Sequence, residues 1–241
     1  MNLLEYILFG KTYGLCIFCR KKTRLSDSIY HKGHMCICKK CNSSIDVAPF
    51  LYTYEGTEYI SFTIAPLYYT GVVRNAIHGM KFSSFCKIAE VLSYYVNTYL
   101  SVFEDSEDSV LKDFDFLVPV PLSKTRLNER GYNQSEIISR CISEKFGIPT
   151  RADVLVKTKN TKPQSILTHA ERKTNIEGAY SCTKDLHGKN IILVDDVFTT
   201  GSTLNACAKA LKERGAGQII AITVTHGTKN QHSDIYYDLF T

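Results

Sequence analysis

Two groups of residues in this chain of 241 have the types and spacing to do chemistry. The first is Ile191-Ile192-Leu193-Val194-Asp195-Asp196-Val197-Phe198-Thr199-Thr200-Gly201-Ser202-Thr203. Its apolar start reads as a strand buried on both faces. The Thr/Gly/Ser/Thr loop then offers backbone N–H groups and small hydroxyls at a helix start, which suits an anion. The paired carboxylates at the strand end can accept hydrogen bonds from sugar hydroxyls, beside the place of a phosphate-bound Mg²⁺. Together they describe a site for a ribose 5-phosphate. The alternative is a strand–turn–helix whose Asp and Thr/Ser residues only cap the helix.

The second group is a cluster of cysteines. Five of the nine lie between Cys16 and Cys41. Cys16-x-x-Cys19 and Cys38-x-x-Cys41 are paired knuckles that can close a tetrahedral thiolate Zn²⁺ site. Cys36 is an alternative to Cys38 as ligand, at the cost of a longer and less usual turn. His31 and His34 are further substitutes. Disulfides fit poorly in a chain that shows no secretory signal. Zinc would supply much of the folding energy of so small a unit.

These groups need elements to position them. Residues 1–50 read as a basic zinc-ribbon module and 51–241 as the domain carrying the acid pair. The net charge of +5 is uneven: residues 1–45 carry +6 and the remainder −1. That asymmetry favours a polyanionic partner at the module, although basic side chains also simply solubilise. Met1 to Tyr13 reads as a short amphipathic helix. No apolar run approaches the roughly 20 residues that span a bilayer.

Beyond the module, Phe50 to Tyr69 reads as strands, and Gly71 and Gly79 flank a short helical piece. Apolar positions from Ile88 to Phe103 mark an amphipathic helix. Residues 104–108 form an acidic linker. Strands are expected at Phe114 to Val120, Val154 to Val156 and Ile219 to Val224. Helices are expected around Ile137 to Phe146, ended by Gly147, and from Leu204 to near Gly215. Cys141 and Cys207 fall on apolar helix faces. This alternation predicts an α/β fold with a mostly parallel sheet and flanking helices.

The thirteen-residue stretch resembles the phosphoribosyl-pyrophosphate (PRPP) motif of type I phosphoribosyltransferases. The resemblance implies that Asp195 and Asp196 hold the ribose hydroxyls while Thr199, Thr200, Gly201, Ser202 and Thr203 cradle the 5′-phosphate. Further segments narrow it. Val118-Pro119-Val120-Pro121-Leu122 leads to Arg130-Gly131-Tyr132-Asn133-Gln134-Ser135, followed by Thr161-Lys162-Pro163-Gln164-Ser165, Glu171-Arg172-Lys173-Thr174-Asn175 and Gly178-Ala179-Tyr180. Upstream, Tyr69-x-Gly71 precedes Met80-Lys81-Phe82. With the knuckles in front, this order resembles the ComF (ComFC) family of competence-associated proteins.

That resemblance implies a type I phosphoribosyltransferase-like fold and a cytosolic protein needed for DNA uptake in natural transformation. It implies a role with incoming single-stranded DNA at the inner face of the membrane. The expected associate is ComFA, the helicase-like ATPase of that system, and the expected ligand is PRPP with Mg²⁺. Whether a phosphoribosyl group is transferred does not follow from it. A Mg²⁺-dependent nucleobase salvage transferase and an interaction module with a vestigial pocket are the competing readings.

Residue chemistry fills in the rest of the site. Lys124, Arg126 and Arg130 follow a strand end, where α/β sheets place ligands, and can neutralise pyrophosphate or DNA phosphate. A solvated basic loop is the alternative. Tyr132, Asn133 and Gln134 can stack on or hydrogen-bond a base, or Asn133 can cap the next helix. Lys157, Lys159 and Lys162 suit a mobile hood loop over the site or a plain flexible surface loop, and Gln164, Arg172 and Asn175 are hood residues carried over from the resemblance. Many purine salvage enzymes have an acidic residue where this chain has Thr199, so a general acid/base is missing there.

Overall fold

The computed structural model describes residues 12–47, 51–52, 58–82, 86–104, 111–159, 176 and 178–227. Its first unit is a four-stranded sheet that carries the knuckles. The strands are β1 (Tyr13–Cys16), β2 (Lys22–Arg24), β3 (Ser28–Lys32) and β4 (Met35–Cys38), in spatial order β2-β1-β4-β3. A single helical turn, α1 (Lys39–Asn42), follows β4. Cys38 stands at its N-cap, where its Sγ accepts the Cys41 N–H at 3.4 Å.

The second unit is built on a sheet with one long buried pair at its centre. Strands β5 (Leu51–Tyr52), β6 (Thr63–Ile64), β7 (Leu67–Tyr68), β8 (Phe116–Pro119), β11 (Ile191–Phe198) and β12 (Ile219–His226) compose it, in the order β5-β6-β12-β11-β8 with β7 also on β12. Among the described strand pairs of this sheet, only β5–β6 is antiparallel. A separate antiparallel pair, β9 (Leu155–Lys157) and β10 (Tyr180–Cys182), stands beside it.

Helices cover both faces of the sheet. They are α2 (Gly71–Phe82), α3 (Cys86–Glu104), α4 (Lys124–Arg130), α5 (Gln134–Phe146) and α6 (Ser202–Lys212). Side chains alternate along a strand, so β11 feeds two cores. Ile192 and Val194 join Leu92, Val96, Ile138 and Ile142 on one side. Ile191 and Leu193 join Leu204, Leu211 and Val118 on the other. Burial on both faces explains the unbroken apolar run of the sequence. The α/β parallel sheet with flanking helices is therefore as expected.

Several boundaries differ from the sequence reading, for identifiable reasons. The central strand does not stop at the acid pair. Pairing with β12 continues through Asp195↔Thr223, Val197↔Thr225 and Phe198↔His226, so β11 runs to Phe198. Gly79 lies inside α2, which extends to Phe82 rather than ending at the glycine. Lys124, Arg126 and Arg130 lie on a helix, not a loop. Ser123 caps α4 by accepting the Arg126 N–H, and Gly131 closes it at φ 77°, the left-handed conformation that glycine adopts without strain. Residues 1–11, the acidic run beyond Glu104, most of the hood (Lys162, Gln164, Arg172 and Asn175 included) and the tail from Thr228 lie outside the described residues.

The cysteine unit is packed against the larger domain. Tyr30 of β3 stacks on Tyr94 of α3 with ring centroids 4.7 Å apart. Tyr95 of α3 donates to Asn42 Oδ1 at 2.9 Å and sits 6.3 Å from the Phe18 ring. Ile17, Phe18, Met35 and Ile37 share one core with Val91 and Leu92.

Candidate functional site

The acid pair sits where β11 leaves the centre of the sheet. Asp195 is held by two donors on one oxygen. Ser135 Oγ, in the first turn of α5, donates to Oδ1 at 2.9 Å, and the Asp196 N–H does so at the same distance. Asp196 Oδ2 lies 2.8 Å from Lys81 Nζ on the last turn of α2. This ion pair is largely withdrawn from water, with the side chains 25% and 10% exposed. Enclosure by protein, and then the Asp196 charge, push the Asp195 carboxyl up to about 7 against the pull of Lys81 and the two hydrogen bonds. Burial opposes the charge on Lys81, but Asp196 and Asp195 outweigh it and keep its pKa above the ordinary lysine value.

The loop after the strand has the expected form. Gly201 is left-handed at φ 70° and precedes the first helical residue of α6. The N-cap residue Gly201 has no side chain to cap that helix start, so its first N–H groups can meet an anion. Thr200 Oγ1 and Ser202 Oγ lie 2.8 Å apart. The Tyr180 phenol, beside Thr203, accepts from Lys157 Nζ at 3.1 Å. The hairpin β9–β10 is thereby tied to the start of α6.

The basic residues divide. Lys124 is exposed, whereas Arg126 and Arg130 are half-buried. Burial lowers the Arg130 guanidinium, with the Asp196 charge acting in the other direction. Burial likewise lowers the Lys157 ammonium, and the Arg126 charge adds to this. Arg130, Lys157 and Lys81 thus feel the charge of the acid pair, and Arg126 acts on Arg130 and Lys157.

The residues Tyr132, Asn133 and Gln134 have local structural work. Asn133 is the N-cap of α5: its Oδ1 accepts the Ser135 N–H at 3.1 Å and its Nδ2 donates to Val120 O at 3.0 Å. That cap presents Ser135 to Asp195. The Tyr132 hydroxyl donates to the Met80 carbonyl, next to Lys81. Gln134 is buried, and its Nε2 has no hydrogen-bond partner among the described residues. Sequence reasoning missed Ser135 and gave Lys81 no role in the site. Met80-Lys81-Phe82 carried the signal, but only the path of α2 brings Lys81 to Asp196.

The Sγ atoms of Cys16, Cys19, Cys38 and Cys41 all lie within 4.8 Å of one another. Tetrahedral zinc with bonds of about 2.3 Å needs thiolates about 3.8 Å apart, and Cys19 Sγ to Cys38 Sγ is 4.0 Å. Burial pushes the Cys16 thiol up, but the N–H groups of Cys38, Cys19 and Phe18 outweigh it and bring it down to about 7, whereas burial pushes the Cys38 and Cys41 thiols up. The four residues therefore fit a zinc ion, which could organise the ribbon. Cys38, not Cys36, completes the set. Cys36 is fully buried beside Gly14, where a Cβ on the glycine would lie 3.2 Å from its Sγ. His31 and His34 lie outside the cluster. At the acid pair, Lys81 Nζ lies 2.8 Å from Asp196 Oδ2, so that oxygen does not fit a directly bound Mg²⁺.

Acid pair, glycine turn and helix start on a central parallel strand define a type I phosphoribosyltransferase fold. Residues 134–241 match the phosphoribosyl transferase domain family. The resemblance to the ComF family read from the sequence is matched by curated homologues. The chain is 35% identical over 124 residues to Competence protein F of Haemophilus influenzae, covering 50% of this chain and 54% of that one. It is 35% identical over 122 residues to Competence protein ComFC of Bacillus subtilis, covering 50% and 48%. It is 32% identical over 143 residues to DNA utilization protein YhgH of Escherichia coli, covering 59% and 62%. The chain thus spans about half to three-fifths of the length of the curated relatives it matches.

Proposed function

We propose that this chain is a competence-associated protein that binds a phosphoribosyl ligand, PRPP in the first instance, and handles incoming single-stranded DNA. The observation that carries the ligand reading is the alignment of Asp195 and Asp196 with the Gly201 turn and the uncapped start of α6. Carboxylates suit ribose hydroxyls, and the helix start suits a 5′-phosphate. Arg126, Arg130 and Lys157 suit pyrophosphate or a DNA phosphate. The basic, cysteine-rich module spanning 1–50 is the second DNA contact in this reading, with 51–241 as the ligand-binding domain. The names of the relatives support a place in competence or DNA utilization, and the ComF resemblance adds ComFA as the partner ATPase in this reading. Among the described residues no helix is long and apolar enough to cross a membrane.

Calorimetric titration of Mg²⁺-PRPP into the zinc-loaded chain tests the ligand reading, with Asp195→Ala/Asp196→Ala as control. Binding that is lost in a folded control is expected, and equal heats from both proteins would sink it. Direct DNA contact predicts binding of single-stranded oligonucleotides that weakens steeply with salt. No binding at low salt, with zinc in place, would refute that contact.

A further inference from the structure

We propose that Lys81 takes the part of a divalent cation in this site, so that the ribose of the ligand is held by the acid pair without a metal ion. The inference rests on the phosphoribosyl reading given above. Two adjacent enclosed carboxylates ordinarily need positive charge to coexist. Here the charge is built in: Lys81 Nζ lies 2.8 Å from Asp196 Oδ2. The remaining carboxyl, Asp195, has Ser135 and the Asp196 N–H on one oxygen, and its enclosure raises its pKa towards neutrality. A cation on Asp196 Oδ2 would have to evict the ammonium, and like charges at such separations repel strongly where water is scarce.

Lys81 is also held in place, unlike a loose surface lysine. Tyr132 bonds the carbonyl of Met80, the preceding residue. On the other side Arg20, from the first cysteine knuckle, lies over Gly79. A Cβ on that glycine would fall 2.3 Å from Arg20 Nη2, so any side chain there would displace the guanidinium. The last turn of α2 is thus braced by α5's entry loop and by the knuckle, and it presents Lys81 to the acid pair before any ligand arrives. An ammonium so placed neutralises Asp196 while leaving lone pairs of both carboxylates for sugar hydroxyls.

The test is calorimetric titration of PRPP into the full zinc-loaded chain, in buffer freed of divalent ions and again with Mg²⁺. The expected result is an affinity that differs less than threefold between the two buffers. Lys81→Gln should weaken metal-free binding at least tenfold and regain part of it with Mg²⁺. Lys81→Arg should stay within a few-fold of the parent, and a thermal melt of each variant checks that it is folded. If PRPP binds the parent only with Mg²⁺, and Lys81→Gln then binds equally well, the proposal is overturned while the phosphoribosyl site stands. If PRPP binds the parent in neither buffer, the phosphoribosyl reading fails, and this proposal with it.

Discussion

Asp195→Asn should stabilise the folded chain, and by an amount that depends on pH. The carboxyl is raised in the folded protein from an ordinary value of 3.8 to about 7. Between those values the native state holds a proton that the unfolded state has released, so stability falls as pH rises. At about 1.4 kcal/mol for each unit, the loss is on the order of 1 kcal/mol by pH 5 and a few kcal/mol at pH 8. Below pH 3.8 it vanishes. An amide removes the titration yet keeps an oxygen to accept from Ser135 Oγ and the Asp196 N–H. Urea unfolding at pH 5 and pH 8 measures the effect. The variant should gain on the parent by a few kcal/mol at pH 8 and by much less at pH 5, while its PRPP binding falls. Equal destabilisation at both pH values would refute the argument, because it would mean that Asp195 is ionised and well paired throughout.

Three further outcomes are expected. Cys38→Ser should lower bound zinc well below one ion per chain by elemental analysis, whereas Cys36→Ser should keep it, because Cys36 stands outside the four-sulfur cluster. Tyr95→Phe should cost about 1 kcal/mol in chemical denaturation, the net worth of a buried hydrogen bond, since it removes the contact with Asn42. Asn133→Ala removes both the α5 cap and the bond to Val120; it should cost about 1–3 kcal/mol and weaken PRPP binding, because the cap holds Ser135 against Asp195.

The readable parts of the sequence were those written in consecutive residues. A strand, an acid pair and a glycine turn lie within one short stretch, and the knuckles are each four residues long, so order and spacing carry them. The α5 limits were equally local, with a polar start and Gly147 at φ 76° behind Phe146. The short helix α4 had its own local signals, Ser123 before it and Gly131 after it, but its basic residues read more readily as a loop. What the sequence could not disclose depends on the path of the chain. Ser135 reaches Asp195 across 60 residues, and Lys81 reaches Asp196 only because α2 ends beside β11. The continuation of β11 through the acid pair was set by β12, a partner that no local pattern names. Asn133 had two readings in sequence, and only the bonds to Ser135 and Val120 give it the capping role.

The aromatic seam between β3 and α3 bears on how the chain divides. Tyr30 on Tyr94, Phe18 near Tyr95 and Ile37 beside Val91 and Leu92 form a single wall. A fragment beginning after residue 50 would therefore carry a bared greasy stripe along α3, and a fragment ending there would carry its mate. Made apart, the two halves are unsuited to solitary life in water. Mixed with zinc, they should find each other, in the manner of split reporters, without any linker to join them.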